Sequence, residues 1–197
     1  MPRPDALVQH GPARTPAPAR RADGADGAVD PADPAEIARR LAPSLHWPGA
    51  EALTRRSWRR VAWTAEFDAW LIAWPEGGEI DLHDHGDSRG VLSVIDGVLT
   101  EFVPQWDGTG CLGLQRLELW AGTTHRLGGG HVHSITNESE RHALSLHVYS
   151  PALSSMTFFD LAGDDLVARA DPWRAEDEDG LLVGWPDPAS AGRAGPR

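Results

Sequence analysis

Lysine is absent from this 197-residue chain: all 18 cationic side chains are arginine. Against 29 acidic residues they leave a formal net charge of −11. That balance argues against a nucleic-acid partner or an anionic membrane surface. Cysteine is nearly absent too. Cys111 stands alone, so no intrachain disulfide can form, and a cytoplasmic setting fits. No apolar run reaches transmembrane length, so no membrane span is expected. Arg20-Arg21 precedes Ala-Asp-Gly-Ala-Asp-Gly rather than an apolar stretch, which excludes a twin-arginine leader. No solenoid-type repeat occurs. Tyrosine is reduced to one residue, Tyr149, beside nine tryptophans.

What remains reads as one domain with loose ends. Residues 1–30 are rich in Pro, Ala, Arg, Gly and Asp, lack apolar periodicity and are expected to be disordered. A single domain is expected over 31–185, with a flexible tail at 186–197. Asp33-Pro34-Ala35-Glu36 has the form of an N-cap with proline at the first helical position, opening a short helix that stops before Pro43. From Ser57 onward the pattern turns to strands. The runs are Arg60–Trp63, Phe67–Trp74, Glu79–His85, Val91–Ile95, Cys111–Trp120, His131–Ile135, Ala143–Ser150 and Met156–Leu161. Asp96-Gly97 between Ile95 and Val98 predicts a two-residue hairpin. Short strands, glycine-rich turns and little helix indicate an all-β barrel or jelly roll.

The histidines carry the chemistry. On a strand, residues i and i+2 share a face, so His83 and His85 present two imidazoles side by side. His131-Val132-His133 repeats the spacing some fifty residues on and can close a three-histidine metal site. Periodicity alone does not separate His131 from His133. Asp81 shares the face of the first pair and Asp87 lies in the loop after it, so either is a candidate carboxylate in a two-histidine, one-carboxylate set. His125 and His142 lack such a context and are expected to face solvent. Ser145, His147 and Tyr149 alternate on a later strand and so share a face, which suits a relay that orients the tyrosine hydroxyl. Nothing marks Ser145 as a hydrolase nucleophile.

Gly78 before the first pair, Gly97 after it and Gly130-x-x-His133-x-x-x-Asn137 follow the two-motif layout of the cupin barrels, which the chain resembles from about Trp58 to Leu161. In that resemblance the His133–Asn137 spacing favours His133 over His131. The glutamate common in the first cupin motif falls on Gly90, which leaves His83, His85 and His133 as the implied ligands. Trp74 through Glu101, centred on His83-Asp-His85-Gly-Asp-Ser-x-Gly90, is similar to the cysteine dioxygenase family of thiol dioxygenases. So is His133-Ser-Ile-Thr-Asn137 followed by Ser145-Leu-His147-Val-Tyr149-Ser-Pro.

The resemblance implies an Fe(II) cofactor, with L-cysteine and O2 as reactants. It implies Tyr149 as the active-site tyrosine, supported by His147 and Ser145. Animal members crosslink a cysteine to that tyrosine; here the position is Gly90, so Tyr149 is expected to be unmodified. The family's carboxylate-binding arginine corresponds to Arg60, with Arg59 as the alternative, and Trp58 replaces the nearby tyrosine. Oxidation of 3-mercaptopropionate, a non-catalytic cupin that binds a metal or small ligand, and a zinc hydrolase or isomerase cupin are the rivals. No macromolecular partner is implied, and a monomer is the simplest expectation.

Overall fold

Asp33 adopts extended backbone and its side chain accepts a hydrogen bond from the Ala35 N–H at 3.0 Å, satisfying a donor that the first helical turn would leave unpaired. Helix α1 (Pro34–Leu41) follows, then a 3-10 turn at Ala42–Ser44. The computed structural model describes residues 33–46, 54–170 and 173–174; the expected tails at 1–30 and 186–197 lie outside the described residues.

Beyond the helix the chain runs through β1 (Ser57–Trp63), β2 (Asp68–Trp74), β3 (Glu79–His83), β4 (Arg89–Asp96) and β5 (Val98–Trp106). It continues through β6 (Leu112–Trp120), β7 (Thr124–Leu127), β8 (His133–Thr136) and β9 (Ala143–Ser150). The short strands β10 (Ser155–Met156), β11 (Phe159–Ala162), β12 (Asp165–Ala168) and β13 (Trp173–Arg174) close the described chain. A five-stranded sheet of order β1-β2-β9-β4-β7 packs against a four-stranded sheet of order β3-β8-β5-β6, all paired antiparallel. This is the all-β, cupin-type barrel expected from the sequence. Trp74, Leu92, Leu99 and Ile135 belong to the cluster that fills its interior.

Strand β9 shows how the pattern places the site. It sits between β2 and β4, with Trp70 opposite His147 and Gly90 opposite Tyr149. Both of its faces are buried. Leu146 and Val148 pack with Ile37 and Ala38 of α1, while Ser145, His147 and Tyr149 turn into the barrel.

Asp96-Gly97 does not make the expected hairpin. Strands β4 and β5 belong to different sheets, and this dipeptide is the corner between them. Gly97 has φ +77°, and a Cβ there would lie 2.7 Å from the His142 carbonyl oxygen. The residues suited to a tight hairpin serve equally well where the chain folds over from one layer to the next.

Candidate metal centre and its cavity

His83 ends β3 opposite His133 at the start of β8, and His85 follows two residues later. The three ring centroids lie 4.8–5.1 Å apart, and all three residues are buried. Each offers a ring nitrogen to a common point, the ligand atoms lying within 4.8 Å of one another. The Nδ1 of His83 lies 2.8 Å from the Asp81 carbonyl oxygen, and the Nδ1 of His133 lies 2.6 Å from Glu101 Oε1. Both acceptors fix the Nδ1–H tautomer and leave Nε2 with a lone pair. The Nε2 atoms of His85 and His133 are buried without any hydrogen-bond partner. Orphaned imidazole nitrogens at such a convergence suit a divalent metal, and neutral nitrogen donors fit Fe(II) or Zn(II).

Burial pushes all three imidazoles toward the neutral form, and the neighbouring histidines add to the effect. His83 is lowered to about 3, first by loss of solvent and then by His133. His85 is held well below the ordinary imidazole range for the same reasons. His133 is lowered by burial, partly opposed by Glu101.

Neither Asp81 nor Asp87 joins the cluster. Asp81 is exposed and binds Arg169 at 2.7 Å, and Asp87 is exposed. The carboxylate at this centre is Glu101 on β5, which is fully buried. It stands behind His133 rather than beside the open nitrogens, the arrangement that fixes a metal-binding histidine's orientation. Burial opposes its charge, but hydrogen bonds from His131 and His133 prevail and hold its pKa down to about 2. His131 thus points to Glu101 and away from the three-histidine convergence. His125, expected in solvent, is half-buried with Nε2 3.2 Å from Glu101 Oε2. His142 is exposed.

Above the histidines lies a cavity of about 290 Å³. Its walls are mainly apolar, formed by Trp58, Trp70, Trp74 and several aliphatic side chains, with His83, His147 and Tyr149 at its polar end. The guanidinium that reaches it is Arg56. Its central carbon lies 5.0 Å from the Trp58 ring centroid and 5.4 Å from that of Trp74. Arg60 is elsewhere: it stacks on Trp70 at 4.6 Å with Nε 4.0 Å from Asp68. Arg59 alternates with Trp58 and so takes the opposite face of β1. Neither Arg59 nor Arg60 lines the cavity. Arg56 shares the face of Trp58 two residues upstream, a period-two signal present in the sequence.

The polar strand forms a continuous chain. The Trp74 indole N–H donates to Ser145 Oγ at 2.8 Å. Ser145 Oγ lies 3.0 Å from His147 Nε2, and His147 Nδ1 lies 3.3 Å from the Tyr149 hydroxyl. Burial lowers His147 to about 3 and raises Tyr149 above the ordinary phenol range, so both are neutral at physiological pH. The Tyr149 ring is 4.8 Å from that of His85. A Cβ at Gly90 would lie 2.8 Å from Tyr149 Cδ1, so glycine there makes room for the phenol ring.

A model of the family described as cysteine dioxygenase type I matches residues 52–162, more than half of the chain. The chain belongs to that family. Among solved structures, a Klebsiella pneumoniae protein with a double-stranded β-helix domain is 18% identical. The match covers 61% of this chain and 95% of that one, with a TM-score of 0.46. The cupin domain of Schizosaccharomyces pombe Cnp3 is 13% identical over 55% and 66% of the two chains, at 0.43. At such identity these likenesses do not bear on chemistry; the cysteine dioxygenase type I match does.

The depressed imidazoles have a consequence for stability. A histidine whose folded pKa lies below its ordinary 6.5 stabilises the fold above that value and loses the contribution as pH falls. Without metal, His147 alone should cost about 2 kcal/mol between neutral pH and pH 5. His83 acts in the same direction, and Glu101 adds to it below pH 4.5. Urea unfolding of metal-free protein at pH 7.5 and pH 5 tests this. An unchanged midpoint would contradict neutral, buried rings.

Proposed function

We propose that the protein is an Fe(II)-dependent thiol dioxygenase that oxidises L-cysteine to cysteine sulfinic acid, with His83, His85 and His133 holding the metal. The observation that carries this reading is one cavity lined by the Arg56 guanidinium, Tyr149 and His83, the last a member of the three-histidine cluster. One end of the cavity suits a carboxylate and the other a metal-bound thiol. Arginine presents a rigid pair of donors matched to a carboxylate, and Trp58 and Trp74 hold its plane in an apolar setting. When bound, iron supplies the acidity that ionises the thiol and the electrons that activate O2. In the net reaction both atoms of O2 are added to sulfur, giving RSO2H from RSH without further oxidant.

The protein's own part is positioning and proton placement. Indole N–H is only a donor, so Ser145 Oγ accepts from Trp74. In one arrangement Ser145 donates to His147 Nε2 and His147 Nδ1–H donates to the Tyr149 oxygen, which frees the phenolic proton to point into the cavity. In the other, His147 Nε2–H donates to Ser145 and Tyr149 donates back to Nδ1. The two arrangements differ in the His147 tautomer, and every group is neutral in both; the phenol can donate toward the substrate in the first and accept from it in the second.

A second reading is favoured by the walls. Among the described residues, the cavity lining includes no carboxylate to receive an ammonium group. An amino-free thiol carboxylate such as 3-mercaptopropionate therefore fits as well as cysteine, whose amine would need another partner. Oxygen uptake by Fe(II)-loaded protein with L-cysteine, 3-mercaptopropionate and cysteamine in parallel tests both readings. Consumption with either carboxylate thiol and little with cysteamine is expected. No uptake with any thiol at full iron load sinks the dioxygenase reading.

A further inference from the structure

Glu101 carries more partners than one supporting carboxylate needs. Its Oε1 serves His133 at 2.6 Å and lies 3.0 Å from His131 Nε2. Its Oε2 is buried and has no hydrogen-bond partner, although His125 Nε2 is only 3.2 Å away. A neutral or charged His125 whose N–H pointed at Oε2 would satisfy it. The ring is close but does not aim a proton there. A buried oxygen lone pair and an imidazole nitrogen set side by side without a shared proton are two ligands lacking a cation.

We propose that Glu101, His125 and His131 form a second divalent-metal site, back to back with the three-histidine cluster. Their ligand atoms lie within 4.8 Å of one another. The 3.2 Å separation of His125 Nε2 from Glu101 Oε2 suits two donors on one metal at about 2.0–2.2 Å each, and a cation there would take His131 Nε2 in place of its contact with Oε1. The three residues come from β5, β7 and the loop before β8, which the barrel brings to one place. The side chains of His125 and His131 are 30% and 20% exposed, so the cation has a route in and water can complete its coordination. Two imidazoles and one carboxylate suit a borderline cation such as Zn(II). The ion would offset the negative charge of a fully buried carboxylate.

Glu101 then belongs to both centres. A cation on Oε2 draws charge from the carboxylate that orients His133, so filling the outer site weakens His133 as a donor to the inner one. This inference does not depend on which reaction the inner site performs.

The test is metal stoichiometry with Zn(II) alone, by equilibrium dialysis, and with Co(II), whose visible absorption reports coordination. Wild type should bind two equivalents. His125→Ala and His131→Ala should each bind one, as should His83→Ala, with circular dichroism confirming the fold. His125→Gln guards against a packing effect at that position. One equivalent in wild type overturns the proposal, and so do two equivalents retained in both His125 and His131 variants. Loss of both equivalents in His125→Ala and His125→Gln overturns it as well, because that ring would then serve the inner site.

Discussion

Arg56→Ala should lower kcat/KM for L-cysteine and for 3-mercaptopropionate by roughly ten- to a hundredfold, the value of one charge-assisted hydrogen bond at about 1.5–3 kcal/mol. The loss should fall mainly on KM, because the guanidinium grips a group that does not react. Cysteamine, which has no carboxylate, should be affected little. Arg59→Ala and Arg60→Ala should stay within about threefold of wild type by the same accounting, since neither side chain reaches the cavity. Arg60 stacks on Trp70, so its loss should appear as about 0.5–1 kcal/mol of stability instead. Steady-state kinetics on the three variants decide the matter. A large loss in Arg60→Ala beside a spared Arg56→Ala would move the carboxylate site to the other end of β1.

His133→Ala should leave the inner site unable to hold iron. In the proposed site the ring is one of three donors; it is fully buried and its Nε2 has no hydrogen-bond partner. Its removal should exceed the 10–100-fold affinity loss typical of a supporting residue. Glu101→Gln should fall within that smaller range, because it keeps a carbonyl acceptor for His133 but loses the charge. His131→Ala should largely spare inner-site iron. Iron content after gel filtration, in a His125→Ala background so that only the inner site counts, separates these outcomes. Retention by His133→Ala together with loss by His131→Ala would reverse the assignment.

The convergence of His83, His85 and His133 is legible in the sequence because both signals are local. An i, i+2 pair needs only one extended strand, and the His133–Asn137 spacing reflects a local lock. Asn137 is buried and its amide donates to the carbonyls of Trp74, Pro75 and Arg141, tying the end of β8 to the β2–β3 turn. The Ser145-His147-Tyr149 face is legible for the same reason. Glu101 is not, because its meaning comes from three histidines on other segments that only the barrel assembles. Arg56 shares a face with both Trp58 and Arg60, and periodicity could not say where along β1 the cavity begins. Asp96-Gly97 misleads because a chain reversal within one sheet and a corner between two sheets call for the same residues.

Helix α1 lies upstream of residue 52, where the family match begins, yet it covers the back of the strand that bears Tyr149. A fragment cut at that boundary would strip Ile37 and Ala38 from Ala69, Val91, Leu146 and Val148, leaving an apolar strip on the outer sheet open to water. Such a surface favours self-association, and the strand beneath it would lose the packing that keeps its inward side chains in register. A well-packed shortened version of this protein should therefore begin no later than Asp33, outside the region that sequence similarity marks as the domain.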